Sequence, residues 1–372
     1  MATSAAPRLL PPGLSAGRAL PFPALRLSAR RWLSRGGAPR PPGAGEAASA
    51  AGLLRDAAAA AAAEDEAPRS GPGGKARRAP EEASVLLFPG QGSQFVGMGR
   101  GLLRYPNVRE LYRVAEGVLG YDLLGLCCQG PGAQLERTVH SQPAVFVSSL
   151  AAVEKLHQEQ PRVVESCVVA AGFSIGEYAA LVFAGAIDYA EALYAVKVRA
   201  EAMQEASEAV PSGMLSVIGR HNSNYVTACL EAREYCKSLG IENPVCEVSN
   251  YLFPGSRVIA GHLQALEFLQ QNSKKYSFVR VKMLPVSGAF HTQLMEPAMG
   301  PLSEALNSIN IQKPLIPVYS NVENRRYTEP KQIQRLLVKQ LVSPVKWEQT
   351  MHAIYERKKG SKTQGKCSTV LC

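Results

Sequence analysis

Cys167-Val168-Val169-Ala170-Ala171-Gly172-Phe173-Ser174-Ile175-Gly176-Glu177 decides how the rest of this 372-residue chain is read. An apolar run of strand length leads into a serine flanked by glycines, and an alanine-rich helical pattern follows from Tyr178. Strand, tight turn and helix in that order describe a nucleophile elbow. Glycines let the backbone turn sharply and push the serine hydroxyl outward. The helix then aims its first free N–H groups and its positive end at the reacting carbonyl. This reading implies covalent acyl chemistry on Ser174. A glycine-rich turn with a serine cap would carry the same letters, so the elbow needs partners elsewhere.

An activated serine needs a base within hydrogen-bond reach. Of the six histidines, His140, His157, His221, His262 and His352 stand among polar neighbours at helix or loop positions. His291 follows the apolar Met283-Leu284-Pro285-Val286 and then Ser287-Gly288-Ala289-Phe290, on a loop leaving a strand. It is the candidate base, or else the cap of a helix beginning near Thr292. Oxyanion stabilisation needs two backbone N–H groups. Ile175 offers one and Gln91, in the loop Pro89-Gly90-Gln91-Gly92-Ser93-Gln94, the other. That loop lacks the endings of a phosphate-binding motif. Arg199 lies on a helix expected over 188–207 with Ala195, Val196, Ala202 and Met203 as its neighbours one turn away. A guanidinium on that apolar side must snorkel, pair through the tertiary structure or await an anion, and its planar fork suits a carboxylate.

The strand Ser84-Val85-Leu86-Leu87-Phe88 opens an alternation of strands and helices, which indicates an α/β domain. Between 212 and 284 the order becomes β-α-β-β-α-β, that of a ferredoxin-like insertion. The expected division is an α/β-hydrolase-like core with a parallel sheet over 83–211 and 285–359, interrupted by the ferredoxin-like subdomain at 212–284. Residues 1–45 contain seven arginines, no lysine and no acid, the composition of a mitochondrial transit peptide; plastid import or plain disorder would share it. Residues 46–82 form a low-complexity linker with an alanine run. The chain carries a formal charge of +10. The first 45 residues supply +7 of this and the last sixteen +5, leaving the middle near −2. The basic balance is therefore no footprint of nucleic-acid binding. The eight cysteines contain no C-x-x-C pair and read as reduced, buried thiols; no segment of about 20 apolar residues suggests a membrane span.

Together these residues resemble the malonyl-CoA:acyl carrier protein transacylase family, over about residues 84 to 359. Phe88-Pro89-Gly90-Gln91-Gly92-Ser93-Gln94 is similar to its first signature. Gly172-Phe173-Ser174-Ile175-Gly176-Glu177 matches its G-H-S-x-G-E elbow, with Phe173 in place of the usual histidine. Arg199 falls at its carboxylate-binding arginine, and Val286 to His291 at its histidine segment, with Phe290 going with malonyl selectivity. Gln142-Pro143-Ala144 and Ser320-Asn321-Val322 match pocket segments. Gln340 to Trp347 matches a segment whose first backbone carbonyl orients the histidine in place of a triad acid. The resemblance implies ping-pong malonyl transfer from malonyl-CoA to the phosphopantetheine thiol of acyl carrier protein in the mitochondrial matrix, for fatty acid synthesis. Ser174 and His291 would be catalytic, and Gln91 and Ile175 would form the oxyanion hole. Arg199, Gln142 and Phe290 would bind substrate. No metal and no bound cofactor is implied.

Two alternatives stand beside it. One is a serine esterase or thioesterase, which would need an acid such as Asp188 or Glu247 between serine and histidine. The other is an inactive form that only binds acyl carrier protein. Lys274, Lys275, Lys358 and Lys359 are either contacts for an acidic carrier or solvated surface charges. The tail from Ser361 to Cys372 is polar and does not match the family's closing strand and helix. It is expected to leave an open sheet edge, low stability and poor activity.

Overall fold

The computed structural model describes residues 83–355 and 368–371. The expected transit peptide and the low-complexity linker lie outside the described residues, as does most of the tail. In chain order the elements used below are β1 (Ser84–Phe88), α1 (Val108–Leu119), α2 (Thr138–Glu159), β2 (Cys167–Gly172), α3 (Gly176–Phe183) and α4 (Tyr189–Ala209). Next come β3 (Ser212–Gly219), α5 (Tyr225–Ser238), β4 (Cys246–Phe253), β5 (Ser256–His262), α6 (Leu263–Gln271) and β6 (Phe278–Met283). The chain then forms α7 (Met299–Ser308), α8 (Pro330–Gln340), β7 (Val345–Lys346), α9 (Trp347–Tyr355) and β8 (Ser368–Leu371).

β1 and β2 pair in parallel, Val85 opposite Val169 and Leu87 opposite Ala171. Alternate side chains then serve two layers. Val85, Leu87, Val169 and Ala171 pack with Trp347 and Met351 of α9, whereas Leu86, Phe88 and Ala170 join the large core around α2, α3 and α4. Covering both faces explains why these strands read as continuous apolar runs, and each buried Leu, Val or Phe stabilises by about 1.5–3 kcal/mol. Residues 317–320 read as a strand in sequence, yet they form only a single parallel bridge, Val318 to Ala170, with Pro317 accepting from the Ala170 N–H at 3.0 Å. A proline cannot donate to a ladder, which keeps this edge short.

The β1 edge is not left open as the tail sequence led us to expect. Ser368–Leu371 lies parallel beside it, Ser84 opposite Ser368 and Leu87 opposite Leu371, giving the strand order β2-β1-β8. Thr369-Val370-Leu371 suits a strand whatever its ancestry.

The second sheet has the order β6-β3-β5-β4-β7. The β3/β5, β3/β6 and β4/β5 pairs are antiparallel, and α5 and α6 cover it with a separate core that includes Leu215, Val217, Ala228, Cys236, Ile259 and Leu266. β7 comes from the chain beyond 285 and adds in parallel to β4. An ion pair, Arg257 to Glu348 at 2.9 Å, ties β5 to α9. β7 and this ion pair thus join the two parts of the molecule.

One helix starts earlier than the sequence suggests. We expect α2 to begin after Gln142-Pro143, yet it runs from Thr138 with Pro143 inside. Pro143 cannot donate to the Val139 carbonyl. Tyr121 Oη takes that place as donor at 3.4 Å, and the Thr138 N–H is satisfied by Gln204 Oε1 of α4 at 2.9 Å. Both compensations are tertiary and invisible to local propensity.

Candidate active site

The elbow is tighter than its glycines alone suggest. A Cβ on Gly172 would stand 2.0 Å from the Gly176 carbonyl, and one on Gly176 would stand 2.3 Å from Phe88 O. Both glycines are therefore required by close approach of backbone, and neither has the left-handed conformation. That conformation belongs to Ser174, with φ of 52°. A non-glycine residue there is strained and must be held by its surroundings. Asn321 holds it from both sides: its Oδ1 accepts from Ser174 N at 2.7 Å and its Nδ2 donates to Gly172 O at 2.7 Å.

His291 also has a left-handed backbone, with φ of 63°. Its Nε2 lies 2.9 Å from Ser174 Oγ and its Nδ1 lies 2.8 Å from the Gln340 carbonyl. A carbonyl only accepts, so Nδ1 carries the proton and the Nε2 lone pair faces the serine hydroxyl. Burial, and then the neighbouring Arg199 charge, push the imidazole down to about 4, which keeps it neutral at ordinary pH with the Nε2 lone pair free to accept a proton. The capping role belongs to Thr292, whose Oγ1 accepts from Leu294 N at 3.3 Å. Among the described residues no carboxylate hydrogen-bonds to His291. The backbone carbonyl at the end of α8 occupies that position.

Arg199 is wholly buried on α4. Its Nη2 donates to Ser174 Oγ at 3.0 Å and to Gln340 Oε1 at 2.9 Å, and its Nη1 donates to Gln142 Oε1 at 2.6 Å. The guanidinium also lies 5.7 Å from the centre of the Tyr178 ring. Its Nε has no partner and, among the described residues, no carboxylate pairs with it. Desolvation lowers its pKa, opposed by Tyr178 and Glu177. A buried fork held by neutral oxygens is equipped to receive an anion.

The Gln91 loop lies against the elbow, because a Cβ on Gly90 would meet Phe173 O at 2.8 Å. Gln91 is anchored through its side chain: Nε2 donates to Thr138 Oγ1 at 3.4 Å and Oε1 accepts from Gln142 Nε2 at 3.3 Å. Among the described residues neither the Gln91 nor the Ile175 backbone N–H donates a hydrogen bond, so both remain available. Phe290, next to the base, is buried in the main core.

Sequence reading misses Glu177 and Tyr327, and it misses the side chain of Gln340. Glu177 follows the elbow and is fully buried, accepting from Gln340 Nε2 at 2.6 Å, from Asn321 N at 3.3 Å and from Tyr327 Oη. Burial raises its carboxyl to about 7, against the lowering effect of those donors and of Arg199. A signal did exist for Gln340. Ile333, Leu336, Leu337 and Gln340 form the buried stripe of α8, and a polar residue on such a stripe must find partners.

Comparison with known proteins adds the family context. The acyl transferase domain model matches residues 85–363. A mitochondrial malonyl-CoA-acyl carrier protein transacylase of Homo sapiens is 68% identical over 320 residues, covering 86% of this chain and 80% of that protein. Its Mus musculus counterpart is 66% identical over 315 residues, covering 85% and 81%. A malonyl-transacylase solved in complex with its type II PKS acyl-carrier protein is similar with a TM-score of 0.67 at 34% identity, over 74% of this chain and 85% of that one.

Proposed function

The chain belongs to the acyl transferase domain family, among its malonyl-CoA-acyl carrier protein transacylases, and we propose that it transfers a malonyl group from malonyl-CoA to the phosphopantetheine thiol of acyl carrier protein. The observation that carries this reading is the bracketing of Ser174 Oγ by His291 Nε2 at 2.9 Å and Arg199 Nη2 at 3.0 Å. A base and a carboxylate-binding fork on one nucleophile select an acyl group that ends in an acid.

In the proposed first half-reaction the malonyl carboxylate binds Arg199, with Gln142 fixing the guanidinium and Phe290 bounding the acyl site. His291 Nε2 takes the serine proton as Oγ forms a bond to the thioester carbon. The Gln91 and Ile175 N–H groups hold the oxyanion. The C–S bond breaks and His291 returns the proton to the CoA sulfur. In the second half the carrier thiol gives its proton to His291 as its sulfur bonds to the malonyl-serine carbonyl carbon; the ester C–O bond then breaks and His291 returns the proton to Ser174 Oγ. No metal or redox cofactor enters these steps. The Gln340 carbonyl steadies the imidazolium in place of an acid, which argues against the esterase alternative.

The wider assignments follow the same reading. The antiparallel order β6-β3-β5-β4 supports a ferredoxin-like subdomain set into an α/β-hydrolase-like core. The mitochondrial names of the relatives and the arginine-rich first 45 residues support a place in mitochondrial fatty acid synthesis, in the matrix. No described helix is long and apolar enough to cross a membrane.

Intact mass after incubation with malonyl-CoA tests the first half-reaction. The expected result is an adduct of about 86 Da on Ser174, discharged by holo acyl carrier protein. Arg199→Ala should lower malonyl transfer about a hundredfold or more while sparing acetyl transfer. No adduct would contradict the enzyme reading, and equal losses for both acyl groups would contradict the carboxylate clamp.

A further inference from the structure

The steps above use only the backbone of Gln340, yet its side chain is among the most connected groups in the site. It is fully buried at the end of α8, where both ends of its amide need partners. Oε1 accepts from Arg199 Nη2 at 2.9 Å. Nε2 donates to Glu177 Oε2 at 2.6 Å and to Ser174 O at 3.2 Å. The orientation of this amide is dictated by chemistry. A guanidinium only donates and a backbone carbonyl only accepts, so the amide oxygen must face Arg199. Glu177 is itself fixed, with Tyr327 Oη on Oε1 and Asn321 N on Oε2.

Glu177 and Arg199 are both buried and do not pair directly, because the Gln340 amide stands between them. A carboxylate placed on the guanidinium would fill its fork. One amide away, it still favours the charged guanidinium and leaves the fork to another anion. The two side-chain amide oxygens that hold Arg199, from Gln340 and Gln142, are neutral and do not compete with an incoming carboxylate as a charge would.

We propose that the Gln340 side chain, anchored by Glu177, is a positioning element that sets Arg199 for the acyl carboxylate, separately from the Gln340 backbone carbonyl that orients His291. One residue would then serve acyl selectivity through its side chain and base orientation through its main chain. The inference rests on the reading that Arg199 binds the malonyl carboxylate.

Gln340→Met keeps the length and the backbone carbonyl and removes both ends of the amide. Its kcat/KM for malonyl-CoA should fall about tenfold to a hundredfold, mainly through KM. Its kcat/KM for acetyl-CoA should fall clearly less than that for malonyl-CoA, so that the malonyl-to-acetyl ratio drops, since the partner of His291 is main chain. Tyr327→Phe leaves Gln340 intact and loosens Glu177, and a smaller loss confined to malonyl-CoA is expected; it serves as the test if Gln340→Met fails to fold by thermal melt. Equal losses for both acyl donors, or no loss with malonyl-CoA, overturn the proposal. The parent chain separates the two failures. If it forms no malonyl-serine, the functional reading falls. If it does and the variants lose both donors alike, only the positioning role falls.

Discussion

At the scale of single residues, the site works by burying charge-bearing groups whose partners are mostly neutral. His291 is the clearest case. Its imidazole is held down to about 4 by desolvation first and by Arg199 second. The base is required neutral, so acylation of Ser174 should persist below the ordinary histidine range and fall only as pH drops through about 4. Removing Arg199 removes one of the two lowering influences. The acid limb of acetyl transfer in Arg199→Ala should therefore move to higher pH than in the parent chain. Single-turnover acylation by acetyl-CoA across pH measures both limbs, and coincident limbs would contradict the assigned cause. Glu177 shows the opposite shift, a carboxyl raised to about 7 by burial. It is tolerated because three donors converge on its two oxygens.

At the scale of elements, the passage from β2 to α3 sets the position of the nucleophile. The strand and the helix approach each other and β1 so closely that no side-chain atom fits at Gly172 or Gly176. Gly176→Ala would press its new methyl against the backbone oxygens of Phe88 and Pro89, which cannot move without disturbing β1. Overpacking against backbone should cost about 3 kcal/mol or more, read as a lower urea midpoint with an unchanged slope. A melt like that of the parent chain would show that the elbow is looser than described. α8 matters equally, for its last residue delivers a carbonyl to His291 and an amide to Arg199. The sequence reading did not assign this helix, although Pro330 at its first turn and the spacing of Ile333, Leu336 and Leu337 carry the signal. The role of Gln340 beyond its main chain was not legible, because nothing local says which buried groups an amide will meet.

At the scale of the whole molecule, the tail changes what the edge of the parallel sheet presents. β8 adds a parallel ladder to β1, from Ser84 opposite Ser368 to Leu87 opposite Leu371. A chain stopped after Gly360 would lose those main-chain hydrogen bonds and leave β1 with one partner. The expected cost is about 2–4 kcal/mol at roughly 1 kcal/mol per bond, measured as a lower melting temperature for the shortened chain. Identical melts would mean that the strand contributes nothing to stability. The second sheet is joined to the same region by β7 and by the Arg257–Glu348 pair, so loosening α9 should be felt in both sheets.

Readable from the amino acids alone were the elbow, the alternation of strands and helices, the β-α-β-β-α-β order between 212 and 284, and the candidates Ser174, His291, Arg199, Gln91 and Ile175. These were legible because each depends on local spacing: apolar runs, glycines beside a serine, a histidine after an apolar segment, an arginine on an apolar helix side. It took the folded molecule to show that Ser174 itself adopts the left-handed conformation, that Asn321 pins it, and that Glu177, Tyr327 and Gln340 form a buried network around the guanidinium. The fold also carried α2 through Pro143 and laid the tail beside β1. The physical reason is common to all of these. Buried polar groups and strained backbones are satisfied by partners up to 166 residues away in the chain, the separation between Gln340 and Ser174, and no local pattern records which ones meet.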